Sequence, residues 1–152
     1  MTKIVSAFPG CGKSFLTENY DSTSPVLDSD SSGYSWLHQD DGTKVRNPDF
    51  PRNYLDHIQS NIGEAAIILV SSHAEVREAL AEEGIDYTLV YPETELKQDY
   101  LERFQRRGSP AAFVDLLDRK WDEFIGDLEC DATPRKVVLG QGQYLSDVVD
   151  EL

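Results

Sequence analysis

Lys3-Ile4-Val5-Ser6-Ala7-Phe8-Pro9-Gly10-Cys11-Gly12-Lys13-Ser14 is the stretch on which the reading of this chain turns. A short apolar run ends in a Gly/Pro cluster, and helix-compatible sequence follows from Lys13, which predicts a buried strand, a turn and a helix. Ala7 to Ser14 matches the pattern G-x-x-x-x-G-K-[ST], with Ala7 at the first Gly position. Only Gly10 and Gly12 are expected to need backbone freedom that a Cβ would deny. In such a turn successive backbone N–H groups point inward and cradle phosphates, and the start of the helix adds positive charge. Lys13 would bridge the β- and γ-phosphates of ATP, and Ser14 would give a hydroxyl oxygen to Mg²⁺. By average residue usage the relaxed pattern arises by chance in on the order of one chain in a hundred of this length. The bland alternative is a glycine turn that caps a helix and binds nothing. Placement between an apolar strand and a helical segment speaks against it.

Outward from this stretch, Ser24-Pro-Val-Leu-Asp28 predicts a second strand that ends in the polar turn Asp28-Ser-Asp-Ser-Ser-Gly33. Residues 33–51 are rich in Gly, Asp, Asn and Pro with scattered aromatics, which points to a long functional loop or short helices. Tyr54, Leu55, Ile58 and Ile62 recur at helical spacing. The unbroken apolar run Ala65 to Val70 predicts a strand covered on both faces. Ser71 to Arg77 would begin a hydroxyl-capped helix that stops at Gly84. Tyr87 to Tyr91 predicts a fourth strand. An amphipathic helix over 95–107 precedes the Gly108-Ser-Pro110 break, and a second runs from Ala111 to Leu128 with Phe113, Leu116, Leu117, Trp121, Phe124 and Ile125 on its apolar face. Lys136 to Leu139 predicts a fifth strand, and Tyr144 to Leu152 a final short helix. This alternation predicts an open parallel α/β sheet with helices on both faces.

Asp28 and Asp30 are the second candidates. At the end of a parallel strand they would face the same edge as the phosphate loop, one holding Mg²⁺ through water and the other accepting a proton from an attacking hydroxyl. A solvated Asp/Ser turn is the plain alternative. Third come Arg103, Arg106 and Arg107, of which Arg103 and Arg107 are the best placed to clamp a γ-phosphate. A cationic last turn that complements the helix dipole explains at least one of them without a ligand. His73 and Arg77 could reach an acceptor. No Asp ends the third strand at Val70-Ser-Ser72, which disfavours a motor-type ATPase. Trp36, Tyr100 and Trp121 read as packing aromatics.

The chain has 152 residues, about one domain, and can bury a core without metals or disulfides. Its formal net charge of −14 disfavours duplex DNA and anionic membranes as general partners. No apolar run has secretory or membrane-spanning length, so a cytoplasmic protein without a membrane partner is expected, with Cys11 and Cys130 as free thiols.

On Ala7 to Ser14, Asp28-Ser-Asp30, the helix Tyr100 to Gly108 and the turn Val137 to Gly142, the chain resembles the P-loop nucleoside and nucleotide kinase group. That group includes the shikimate- and gluconate-kinase-like branch and small phage-encoded kinases. Only the first of these segments is specific by itself. The resemblance implies a three-layer α/β/α P-loop NTPase fold over residues 1–152, with a five-stranded parallel sheet in the order 2-3-1-4-5. It implies ATP and Mg²⁺ as cofactors, a nucleotide site over Phe8, Pro9, Gly10, Cys11, Gly12, Lys13, Ser14 and Phe15, and a metal site at Ser14 and Asp28. It also implies a short lid near 103–111 and an adenine near Gly140 to Gln143. The expected function is ATP- and Mg-dependent phosphotransfer to a small acceptor, with a nucleoside monophosphate or deoxynucleotide preferred, by a monomer or homodimer. In a phage-encoded protein it would act in the host cytoplasm. The alternatives are a kinase acting on a nucleic-acid end or modified base, and a non-catalytic nucleotide-binding module.

Overall fold

The computed structural model describes residues 2–20 and 23–152; Met1, Asp21 and Ser22 lie outside them. Five parallel strands form one sheet: β1 (Lys3–Ala7), β2 (Val26–Asp28), β5 (Ile67–Ser71), β6 (Thr88–Pro92) and β7 (Arg135–Leu139), side by side in the order β2-β5-β1-β6-β7. The central strands are largely apolar: Val5, Ala7, Ile68, Leu69, Val70, Leu89 and Val90 are fully buried, as is Ser6, whose hydroxyl donates to the Ser71 carbonyl at 2.9 Å. That is the signature of a sheet covered on both faces.

The helices are α1 (Lys13–Asn19), α2 (Ser32–Ser35), α3 (Arg52–Asn61), α4 (Ala74–Glu82), α5 (Lys97–Arg106) and α6 (Ala111–Cys130). α3 packs on α4, α5 on α6, and α6 on β6, while α1 contacts β2 and the turn at Leu145–Asp147. The right-handed rule for crossovers between parallel strands predicts α1 on one face of the sheet and α3, α4 and α6 on the other. Trp121 and Tyr100, both buried, join α6 and α5 through Phe8: ring centroids lie 5.6 Å apart for Phe8–Trp121 and for Tyr100–Trp121. The Trp121 indole N–H donates to the Thr94 carbonyl at 2.8 Å.

Three elements differ from the sequence reading. Residues 33–51 hold, besides the single turn α2, an antiparallel hairpin of β3 (Trp36–His38) and β4 (Lys44–Arg46). Its Trp36 ring lies under the Lys44 ammonium (4.8 Å) and the Arg46 guanidinium (5.4 Å). Instead of a final helix, the C-terminus makes two 3₁₀ turns, Leu145–Asp147 and Val149–Glu151. Leu145, Val148 and Leu152 are buried there. The hydroxyl cap expected at Ser71 is not formed. Ser71 closes β5, and α4 starts at Ala74 after His73, without a side-chain cap.

Candidate functional site

The loop between β1 and α1 is held from outside by its carbonyls. Arg103 Nη1 donates to the Gly10 carbonyl at 2.5 Å, the Leu145 N–H to that of Cys11 at 2.9 Å, and the Leu16 N–H to that of Gly12 at 3.1 Å. The N–H groups from Gly10 through Phe15 meet no acceptor among the described residues. Carbonyls tied outward and amides left free inward are the arrangement of an anion-binding nest. Buried amides without partners are rare in proteins, so these remain exposed to water or to a ligand.

Gly10 and Gly12 stand at φ 84° and 91°, where only glycine is unstrained. They are also closely covered: a Cβ on Gly10 would meet Phe104 Cζ at 3.0 Å, and one on Gly12 would meet Tyr144 Cδ1 at 3.0 Å. Ala7, at the motif's first position, lies within β1 and is fully buried, so it needs no such freedom.

A cleft of about 1070 Å³ opens on this loop. Lys13 and Ser14 line it, and Lys13 has no carboxylate partner among the described residues. Asp28 and Asp30 line it too. Asp28 is in register with Leu69 of β5, and Ala7 with Ser71. Continuing that register past Asp28 sets Asp30 level with Ser71, at the edge where the loop begins. The Ser32 N–H donates to the Asp30 carboxylate at 2.9 Å and fixes its orientation. Behind the pair, the Tyr54 hydroxyl donates to the Ser29 carbonyl, and Ser29 Oγ lies 2.9 Å from His57 Nε2.

The remaining candidates divide. Arg107 lines the cleft, with its guanidinium 5.3 Å from the Phe104 ring centre and no anionic partner among the described residues. Arg103 also lines it, but its guanidinium lies between the rings of Tyr100 (4.2 Å) and Tyr144 (4.4 Å) and holds the loop through Gly10. Arg106 Nε–H donates to the Glu102 carbonyl at 3.4 Å, its one side-chain bond among the described residues. Phe8 contributes its ring to the core, and its N–H is taken by the Val90 carbonyl at 2.9 Å; Pro9 has no N–H to offer. Cys11 is buried, and burial pushes its thiol up to about 11, so its backbone alone faces a ligand. Phe15 is 57% exposed.

Arg77 does not have the freedom expected of an acceptor ligand. It is 6% exposed, donates to Asp127 and Asp131 at 2.6 Å each, and gives Nε–H to the Ser72 carbonyl at 2.9 Å. His73 lines the cleft. Desolvation pushes its pKa below the ordinary 6.5, opposed by Asp30 and reinforced by Lys13 and Arg46, so its imidazole is neutral at pH 7. Among the described residues no group of three or more His, Cys, Asp and Glu side chains forms a metal cage. No helix among them is long and apolar enough to cross a membrane.

The sequence reading missed the apolar wall, formed by Phe113, Leu116 and Phe124 of α6. It also missed Tyr144, which covers Gly12. The α6 wall has a readable signal: eight apolar positions from Phe113 to Leu128 are more than one buried stripe needs.

No family model matches the chain, and no curated protein matches it. Among solved structures it is similar to an uncharacterized protein from Eubacterium ventriosum ATCC 27560, at 12% identity over 99% of this chain and 94% of that chain, with a TM-score of 0.48. At that level of likeness the functional reading rests on the residues of the site.

Proposed function

We propose that this chain is a P-loop NTPase-fold phosphotransferase that uses ATP and Mg²⁺ to phosphorylate a small hydroxyl acceptor. The observation that carries the reading is the run of N–H groups from Gly10 to Phe15 that meet no acceptor among the described residues, together with Lys13, which has no carboxylate partner among them, at the mouth of a large cleft. Any helix leaves its first N–H groups free, which accounts for Lys13 to Phe15; the unpartnered N–H groups of Gly10, Cys11 and Gly12, ahead of the helix among the described residues, extend the set into the turn. The strand order, with β1 between β5 and β6, supports the same fold reading.

The donor set suits Mg²⁺. This ion is usually held by one or two carboxylates or hydroxyls together with substrate phosphates and water, not by an all-protein cage. Ser14 and Asp28 would hold it, and it would neutralise charge on the phosphates. Lys13 and Arg107 would stabilise charge on the transferring group, and Arg103 keeps the loop in shape. Asp28 or Asp30 would orient the acceptor hydroxyl and take its proton. A cytoplasmic location goes with this reading.

ATP consumption by the Lys13→Ala variant tests the proposal. Its turnover is expected to fall about 100-fold or more, the scale set by removing one charge-stabilising group, with its circular dichroism spectrum unchanged. Turnover at the wild-type rate would refute the assignment.

A further inference from the structure

We infer that the acceptor half of the cleft takes an uncharged alcohol with an apolar or aryl body, and rejects its phosphorylated counterpart. This inference rests on the phosphotransfer reading and deepens it, and it departs from the nucleoside monophosphate that the sequence favours.

The cations that line the cleft are Lys13, Arg77, Arg103 and Arg107. Arg77 is buried and neutralised by Asp127 and Asp131. Arg103 is tied to the Gly10 carbonyl and enclosed by two tyrosine rings. Lys13 and Arg107 are the cleft cations that keep no carboxylate or carbonyl partner among the described residues. A Mg-bound triphosphate still carries net negative charge, and these two groups answer it.

No cation is then left for a phosphate on the acceptor. The acceptor's polar wall consists of the Asp28 and Asp30 carboxylates, the neutral His73 and the Ser71–Ser72 segment. Arg46 is close enough to His73 to act on its titration, but it is ion-paired with Glu75 at 2.6 Å and does not line the cleft. With Asp28 committed to Mg²⁺ and the metal taken up by the nucleotide phosphates, a phosphate ester placed here would face the Asp30 carboxylate, a like charge, with no cation to offset it, which is how a site discriminates against a ligand.

Another part of the lining is apolar. Phe113, Leu116 and Phe124 line the cleft, with Leu116 37% exposed and Phe113 edge-on to Phe104 at 5.0 Å. Apolar walls with a few placed polar groups are the usual composition of a small-molecule site. At about 1070 Å³ the cleft lies at the top of the roughly 300–1,000 Å³ range of such sites, which leaves room for a second ligand beside the nucleotide.

In the resulting step the acceptor oxygen forms a bond to the γ-phosphorus and the bond from that phosphorus to the ADP oxygen breaks. The hydroxyl proton passes to Asp28 or Asp30. The products are ADP and a phosphate ester, and the ester, now anionic, meets the same carboxylate, which favours its release.

The test is a set of NMR titrations with matched pairs: benzyl alcohol against benzyl phosphate, and thymidine and adenosine against their 5′-monophosphates. Each is run on the full chain with Mg²⁺ and a non-hydrolysable ATP analogue present. In at least one pair the neutral member is expected to shift the resonances of Phe113, Leu116 and Phe124, with a Kd at least tenfold below that of its ester. Leu116→Asp, at an exposed position, is expected to weaken that binding at least tenfold. Esters that bind as well as the alcohols, or no shift on α6 from any pair, would overturn the inference. A separate titration with the nucleotide alone distinguishes the two claims. Without nucleotide binding the phosphotransfer reading itself fails, whereas bound nucleotide with preferred esters sinks only the acceptor class.

Discussion

Gly12 adopts φ 91°, and an added Cβ would lie 3.0 Å from Tyr144 Cδ1. Both the backbone strain and the contact therefore oppose any side chain. Gly12→Ala is expected to lower stability by about 1–2 kcal/mol in urea unfolding and to weaken nucleotide binding, because the amide of residue 12 moves with its backbone. Gly33→Ala is the control: no atom lies within 4 Å of its added Cβ and its φ is not positive, so its stability should match the wild type within about 0.5 kcal/mol. Cys11 gives a second outcome at this scale. Burial raises its thiol pKa to about 11, with Tyr100, Lys13 and Arg103 pulling weakly the other way. A thiol reagent at pH 7 should therefore label the exposed Cys130 in the folded protein and spare Cys11 until it is unfolded. Equal labelling of both in the native state would contradict the buried placement. The turn between β1 and α1 was legible because a Gly/Pro cluster separates an apolar run from helix-compatible sequence, and Gly10 and Gly12 do stand at positive φ. The bond of Arg103 to the Gly10 carbonyl was not, since residues 93 positions apart give no local sign of contact.

At the scale of elements, the joint between α4 and α6 depends on Arg77. Burial pushes the Asp131 carboxyl up, but the Arg77 hydrogen bonds, the Thr133 amide and Tyr87 outweigh it and hold its pKa below the ordinary 3.8. A lowered folded pKa contributes stability above the unfolded value, and that stability is lost as pH falls below 3.8 through the folded value. Arg77→Ala is expected to cost about 3 kcal/mol near neutral pH. This is the lower end for breaking a buried pair, because Asp127 is 62% exposed. The variant should also lose the part of the acid-induced stability decline that Asp131 contributes. Urea midpoints for both proteins between pH 2.5 and 7 would show it, and parallel curves would refute it. The sequence places Arg77 just after a strand end, which makes it look free; only the return of α6 alongside α4 supplies its two carboxylates. The hairpin was hidden for another reason. Trp36-Leu-His38 and Lys44-Val-Arg46 are too short for a period of two to stand out. Its one readable sign is Asp41-Gly42, a dipeptide favoured in hairpin turns, with Gly42 at φ 85°.

For the molecule as a whole, the sheet was legible because its strands are short apolar runs separated by helical periodicity, and buried parallel strands need that composition. The direction in which α6 presents its surplus apolar side chains depends on the packing of α5 and β6, so the cleft's second wall emerges only in three dimensions. The net charge of −14 has a consequence at this scale. On the proposed reading a polyphosphate would be drawn into a molecule that repels it at a distance, and the local donors of the loop would supply the attraction. Each stage of the account depends on those donors. The most direct test follows the backbone amide resonances of residues 10–15 while Mg·ATP is added to the full chain. The account expects large, saturable shifts at Gly10, Gly12, Lys13 and Ser14, abolished by Lys13→Ala. Amides that stay unperturbed at millimolar nucleotide would contradict it.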